Sequence, residues 1–370
     1  MEKSKVYFTN MRTKHGDNLL NKLERLIRVA GISNIDFQDK FAAIKLHFGE
    51  PGNLAYLRPN YARVIADVVK SLGGKPFLTD ANTLYVGRRK DALEHIESAY
   101  ENGFSPFSTG CHIIIADGLK GTDETIVDID GEYIKQAKIG RAVMDADILI
   151  SLTHFKGHMQ TGFGGAFKNI GMGCGSRAGK MEMHNSGKPL VNVDKCVSCG
   201  ICKKECAHDA IIFDSLNKAV IVDDKCVGCG RCIGVCFKDA IYGKWDEALD
   251  VLNKKIAEYT YAIIKDKPHF HISLVVDVSP NCDCHSANDA AIIPNVGMFA
   301  SFDPVALDVA CVDACNSQTP IRETALEEAN SKKDLDHFNM LHPNSNWRAC
   351  VEHGEKLGIG TSQYELIEVK

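Results

Sequence analysis

Nowhere in its 370 residues does the sequence approach the roughly 20 uninterrupted apolar residues that a spanning helix needs. No membrane is therefore expected. Met1 to Asn10 carries lysines but no apolar stretch long enough for a signal peptide. A soluble, cytoplasmic protein is the expectation. Excess charge is missing too: 43 Lys and Arg stand against 48 Asp and Glu, a formal net charge of −5. That balance argues against a nucleic-acid partner. No Walker loop or Rossmann fingerprint occurs, so no nucleotide can be named.

Cysteine is the residue in excess, at 15. Without export signals, and in a chain long enough for a proper core, disulfides are not the natural reading. Eight of these cysteines fall between Cys196 and Cys236 at regular spacing, which points to metal.

"DKCVSCGICKKECAHDAI" (194–211) and "DKCVGCGRCIGVCFKDAI" (224–241) form an internal repeat with a 30-residue offset. Each copy reads C-x2-C-x2-C-x3-C. In this arrangement three thiolates wrap one cubane and the fourth reaches the other. The expected sets are Cys196, Cys199, Cys202 and Cys236 for one [4Fe–4S] cluster, and Cys226, Cys229, Cys232 and Cys206 for the second. Zinc has no use for a third cysteine at this spacing. Ala207 and Phe237 stand where a proline is usual, which alters local backbone but removes no ligand. Between Leu190 and Gly243, 7 basic residues balance 7 acidic ones. A neutral module suits an internal relay better than a diffusing carrier.

Around the repeat, strands alternate with helices. Strand candidates are "FAAIKLHFGE" (41–50), "KPFLTD" (75–80), "CHIIIAD" (111–117), "DILISLTH" (147–154) and "HISLVVD" (271–277). Helices are expected near 59–72, 91–100, 135–144 and 246–264. The rhythm predicts an α/β fold, a mostly parallel sheet with helices on its faces. The cysteine repeat interrupts it as a small α+β ferredoxin-type module over residues 189–243, entered near Ser186 to Pro189. Residues 1–188 and 244–370 then form one discontinuous α/β domain.

Ligands of open α/β sheets bind beyond the carboxyl ends of the strands. Those ends carry His47 and Glu50; Thr79, Asp80, Asn82 and Thr83; Asp117; Thr153, His154, Lys156 and His158; and Asp277, Cys282, Asp283, Cys284 and His285. Loops chosen for solubility would favour Lys and Glu instead. His47, Asp80, His154 and His158 are the candidate proton donors and acceptors. The stretch 161–184 places seven glycines among Lys168, Asn169, Arg177, Lys180 and His184. Glycines let backbone N–H groups form an anion nest. With Lys156, the residues Lys168, Asn169, Arg177 and Lys180 make a candidate anion site. Cys282 and Cys284 form C-x-C beside His285 and suit either an additional metal or redox thiols. Cys111, Cys311 and Cys315 read as core thiols.

"KLHFGEPGN", "FLTDANTLYVGRR", "HFKGH", "GFGGAFKNIGMG", "CDC" and "SFDPVALD" together resemble the iron–sulfur subset of the domain of unknown function 362 proteins. The resemblance spans nearly the whole chain. It implies an α/β domain with clusters and leaves the chemistry open. The expected function is an iron–sulfur oxidoreductase of an anaerobic or microaerobic prokaryote. Low-potential electrons would pass to a small anionic substrate or cofactor at the sheet rim, with a redox protein or enzyme as partner. The alternatives are a non-catalytic electron-transfer or cluster-handling adaptor, and a non-redox metalloenzyme centred on Cys282 and Cys284.

Overall fold

The computed structural model describes residues 3–85, 87–184, 188–329 and 336–370. Eight strands form one sheet: β1 (Ser4–Asn10), β2 (Phe41–Lys45), β3 (Lys75–Asp80), β4 (Ile113–Ile115), β5 (Ile148–His154), β6 (His269–Val275), β7 (Gly297–Ser301) and β8 (Tyr364–Glu368). Their spatial order is β8-β1-β7-β6-β5-β2-β3-β4. From β6 through β5, β2 and β3 to β4 every pairing is parallel. Only β7 runs against its neighbours, β1 and β6.

The central strands are buried on both faces, which explains their near-continuous apolar sequences. Ala42, Ile44, Ile148, Ile150 and Leu152 face one core, and Ala43 and Leu149 face the other. Helices α1 (Leu19–Val29) and α2 (Pro59–Ser71) cover the first face with Leu23, Leu26, Ile65 and Val69. Helix α3 (Ala92–Glu101) begins where the Asp91 carboxylate accepts the N–H groups of Leu93 and Glu94. The second face is covered by α5 (Leu249–Ile264), α6 (Pro304–Asn316) and α7 (Trp347–Lys356). Helix α4 (Arg177–His184) lies ahead of the cysteine repeat.

Three differences from the sequence reading have clear causes. The helix expected over 135–144 is mostly strand: Gln136–Gly140 pairs with Glu124–Asp128, and only Arg141–Asp145 is helical. Ala137 and Ile139 are buried while Gln136 is exposed, so a period of two governs this stretch. Strands β1, β7 and β8 were not read at all. They form the mixed side of the sheet, where pairing depends on partners far along the chain. The glycine-rich stretch is not an open loop. It contains a short strand, Gly162–Gly164, a π-helical turn, Lys168–Met172, and then α4.

The repeat folds as two equivalent halves. Short helices Ile201–Glu205 and Arg231–Val235 correspond at the sequence offset, as do Ile211–Phe213 and Ile241–Gly243. Pro189–Val191 pairs with Ile241–Gly243, so the segment's two ends lie side by side. Ser186 and Gly187, where the segment was expected to start, lie outside the described residues. Among the described residues, no helix is long and apolar enough to cross a membrane.

Candidate functional site

Chain connections leave β2 toward β3 but leave β5 toward β6, on the opposite side of the sheet. Between such strands a crevice opens beyond the carboxyl ends. Here it is a cavity of about 770 Å³. Lys45 and His47 come from the end of β2, Asp80 and Thr83 from β3, Lys156 and His158 from just past β5, and Cys282 and Cys284 from the loop after β6. Lys168, Asn169, Lys180 and His184 close it from the glycine-rich side.

Its floor is a buried ionic cluster. Lys45 Nζ lies 3.0 Å from Asp80 Oδ1 and donates to Asn169 Oδ1 at 2.9 Å. Arg89, 1% exposed, meets Glu50 Oε2 at 2.7 Å, His47 Nε2 at 2.9 Å and Asp80 Oδ2 at 3.8 Å. It also donates to the Tyr85 hydroxyl. His95 packs behind Asp80 at 3.7 Å, and burial pushes its ring down to about 3. Arg89, Tyr85 and His95 were not singled out from sequence. They come from the loop after β3 and from α3; Tyr85 and Arg89 fall within the "FLTDANTLYVGRR" stretch, whereas no local pattern marks His95.

The opposite wall is the loop carrying Cys282, Asp283 and Cys284. Asp283 is fully buried, with both oxygens 2.9 Å from His154 Nδ1 and one 3.3 Å from Lys156 Nζ. The Nε2 of His154 faces the Val276 carbonyl at 2.8 Å. Both ring nitrogens are thus engaged, and His154 does not line the cavity. It anchors the loop.

His158 does line the cavity. Its Nδ1 accepts the N–H groups of Gln160 and Thr161, each at 3.2 Å. The ring proton therefore sits on Nε2, the nitrogen left for Cys282. Burial and then the Lys168 ammonium bring this ring down to about 4. Lys168 Nζ stands 3.7 Å from Cys282 Sγ. The Cys284 S–H beside it, and then Lys168, hold Cys282 well below the usual thiol range, while Cys284 is driven up by the same contact. The ligand atoms of His158, Cys282 and Cys284 lie within 4.8 Å of one another, a spacing compatible with a bound metal.

Lys45, Arg89, Lys156, Lys168 and Lys180 outweigh Glu50 and Asp80 on the cavity wall. Burial brings Lys180 down to about 8. Two of the glycines here allow close packing. A Cβ at Gly173 would sit 2.5 Å from Lys45 Nζ, and one at Gly171 would sit 2.8 Å from Thr260 Oγ1. Arg177 does not line the cavity. It is 1% exposed, packs against Gly230 of the cysteine repeat and donates to the Lys90 carbonyl.

The repeat itself holds two further cavities. One is lined by Cys196, Cys199, Cys202 and Cys236, the other by Cys206, Cys226, Cys229 and Cys232. Gly200 and Gly230, at φ 77° and 69°, start the short helices beside them. None of the fifteen cysteines is in a disulfide. Leu84 belongs to the small apolar core around Cys196 and Cys202 and also lines the large cavity, so it bridges the two regions. Lys90 clamps the junction through Asp239.

Sequence comparison places this architecture. A domain of unknown function, DUF362, matches residues 42–313. The chain belongs to the DUF362 family. That match takes in the parallel strands, the cavity and the cysteine repeat. A relative in Synechocystis, described as thylakoid-associated protein sll1697, is 28% identical over 124 residues, 34% of this chain and 35% of that protein. A crystal structure from Thermotoga maritima covers 80% of this chain and 57% of its own, at 13% identity and a TM-score of 0.43. The lactate racemase apoprotein of Thermoanaerobacterium thermosaccharolyticum covers 74% and 51%, at 11% identity and a TM-score of 0.40. The chain thus spans about a third of the relative's length and a little over half of each structure.

Proposed function

We propose that this DUF362 protein is an iron–sulfur redox protein of the family's ferredoxin-bearing subset, delivering electrons to a small anionic substrate in the sheet-rim cavity. Residues 189–243 would be the 2[4Fe–4S] module, inserted in an α/β domain of residues 1–188 and 244–370. The observation that carries the reading is the grouping of eight thiols around two separate cavities, four to each. Cys196, Cys199, Cys202 and Cys236 would hold one cluster, and Cys206, Cys226, Cys229 and Cys232 the other. The donor set fits: all are thiols, and burial raises Cys232 to about 12, so ionising it calls for a cationic centre. When bound, the clusters would supply electrons one at a time.

The chain's own residues supply the rest. Lys168 and Lys180 offer positive charge to the anion, while Lys45 and Lys156 are already paired with Asp80 and Asp283. A cavity of this size, ringed by ionisable side chains, favours an enzyme over an adaptor that merely docks on a partner. Its proton donors narrow to His158, because His154 is committed to Asp283 and Val276, and the two ring nitrogens of His47 face the Gly49 N–H at 3.0 Å and the Arg89 guanidinium at 2.9 Å. Asp80 is enclosed by Lys45, Arg89 and His95 and serves to hold cations.

Anaerobically purified protein should contain about eight iron and eight sulfide per chain and give a reduced-cluster paramagnetic resonance signal. Colourless protein without acid-labile sulfide would remove the proposal.

A further inference from the structure

Cys282 and Cys284 lie in one tight turn on the cavity wall, closed by the His285 N–H to the Cys282 carbonyl at 3.0 Å. Their sulfurs are within 4.8 Å. An S–S bond between them would shorten that separation to ~2.05 Å. The surroundings of the two sulfurs are unlike those of a packed thiol. Cys311 and Cys315 on α6 belong to the apolar core. Cys282 instead has the Lys168 ammonium at 3.7 Å and the His158 ring as a hydrogen-bond partner. A thiolate stabilised by a cation, with a second thiol at hand, is the arrangement that thiol–disulfide exchange requires. The His158 tautomer weighs against the metal reading, because the nitrogen facing Cys282 already carries the ring proton.

We propose that Cys282 and Cys284 form a redox-active dithiol that reduces a small anionic disulfide bound in the cavity, with Cys282 attacking and Cys284 resolving. This deepens, and rests on, the reading of the cavity as an anion-binding redox site. In the first step the Cys282 thiolate attacks one sulfur of the substrate, R–S–S–R′. A mixed disulfide forms and R′S⁻ leaves. Cys284 then attacks Cys282 Sγ, its proton passes to the departing RS⁻, and the Cys282–Cys284 disulfide remains. The chain's dithiol is oxidised by two electrons and the substrate disulfide is reduced to two thiols. Lys168 contributes twice, holding the attacking thiolate and the anionic substrate.

The test uses intact, anaerobically prepared protein and 5,5′-dithiobis(2-nitrobenzoate), a dianionic disulfide whose product is coloured. A burst of about two product equivalents per chain is expected. Peptide mass mapping should show a Cys282–Cys284 link and no adduct. Cys284→Ser should release about one equivalent and trap the probe on Cys282, and Cys282→Ser should abolish the burst. Lys168→Gln should raise the pH midpoint of the burst by roughly one to three units. An adduct on wild-type Cys282 that Cys284 never resolves would overturn the proposal. So would zinc or iron bound at the pair in the purified protein. Iron and sulfide analysis of the same sample separates the two readings. A link formed without clusters would spare this inference and remove the proposed function, and clusters without a link would do the reverse.

Discussion

Asp283→Asn is the most informative single change, because it removes one charge and almost no volume from the loop between the two cysteines. Asp283 is fully buried and meets His154 and Lys156 at 2.9 and 3.3 Å. Although burial opposes ionisation, His154 and then Lys156 hold its carboxyl well below the usual range. Lys156, 6% exposed, would lose its carboxylate partner and keep the His154 carbonyl at 2.9 Å. Leaving a buried charge without its partner costs about 3–5 kcal/mol. With a urea dependence of about 3 kcal/mol per molar, the unfolding midpoint should fall by roughly 1–1.7 M. Lys156→Met should be costly for the mirror-image reason, and the double variant should be less destabilised than the sum by about 1–3 kcal/mol. The folded carboxyl titrates below its unfolded value, so its contribution is full above about pH 4 and is lost as pH falls below that. The gap between wild type and Asp283→Asn should therefore narrow in acid. A midpoint change under about 0.3 M, or additive variants, would refute the charge pairing.

Two further outcomes follow from the same geometry. His95 and His158, brought down to about 3 and about 4, should stay neutral to pH 5 by proton NMR. Because the unfolded chain takes up those protons first, near pH 6.5, both rings should cost stability as pH falls from there. If the thiol grouping holds clusters, Cys236→Ala should lose the site shared with Cys196, Cys199 and Cys202, and Cys206→Ala the site shared with Cys226, Cys229 and Cys232. Each variant should keep about half its iron, and loss of all iron from either would show the two sites to be one cooperative unit.

Much of the central sheet was legible because its signals are local. "FAAIK" and "ILISLTH" are apolar on consecutive residues, as strands buried on both faces must be. The 30-residue offset that marks the repeat reappears in its strands and helices, although the strands pair from one half to the other. The rim was legible as a set: β2, β3, β5 and β6 all end in ionisable or thiol side chains, and parallel strands deliver those ends to one edge. Less could be read of the mixed side of the sheet, and nothing local announced His95.

The sequence by itself determined the strand and helix rhythm of the central domain, the cysteine spacing and the chemistry concentrated at strand ends. Only the tertiary structure decided which of those side chains face the cavity. His154 turned away because the parallel pairing of β5 with β6 brings it against Asp283, 129 positions distant. Arg177 turned away because the repeat folds back over it. Backbone periodicity is set by neighbours in the chain, whereas the partner of a buried charge is set by whichever distant segment packs against it.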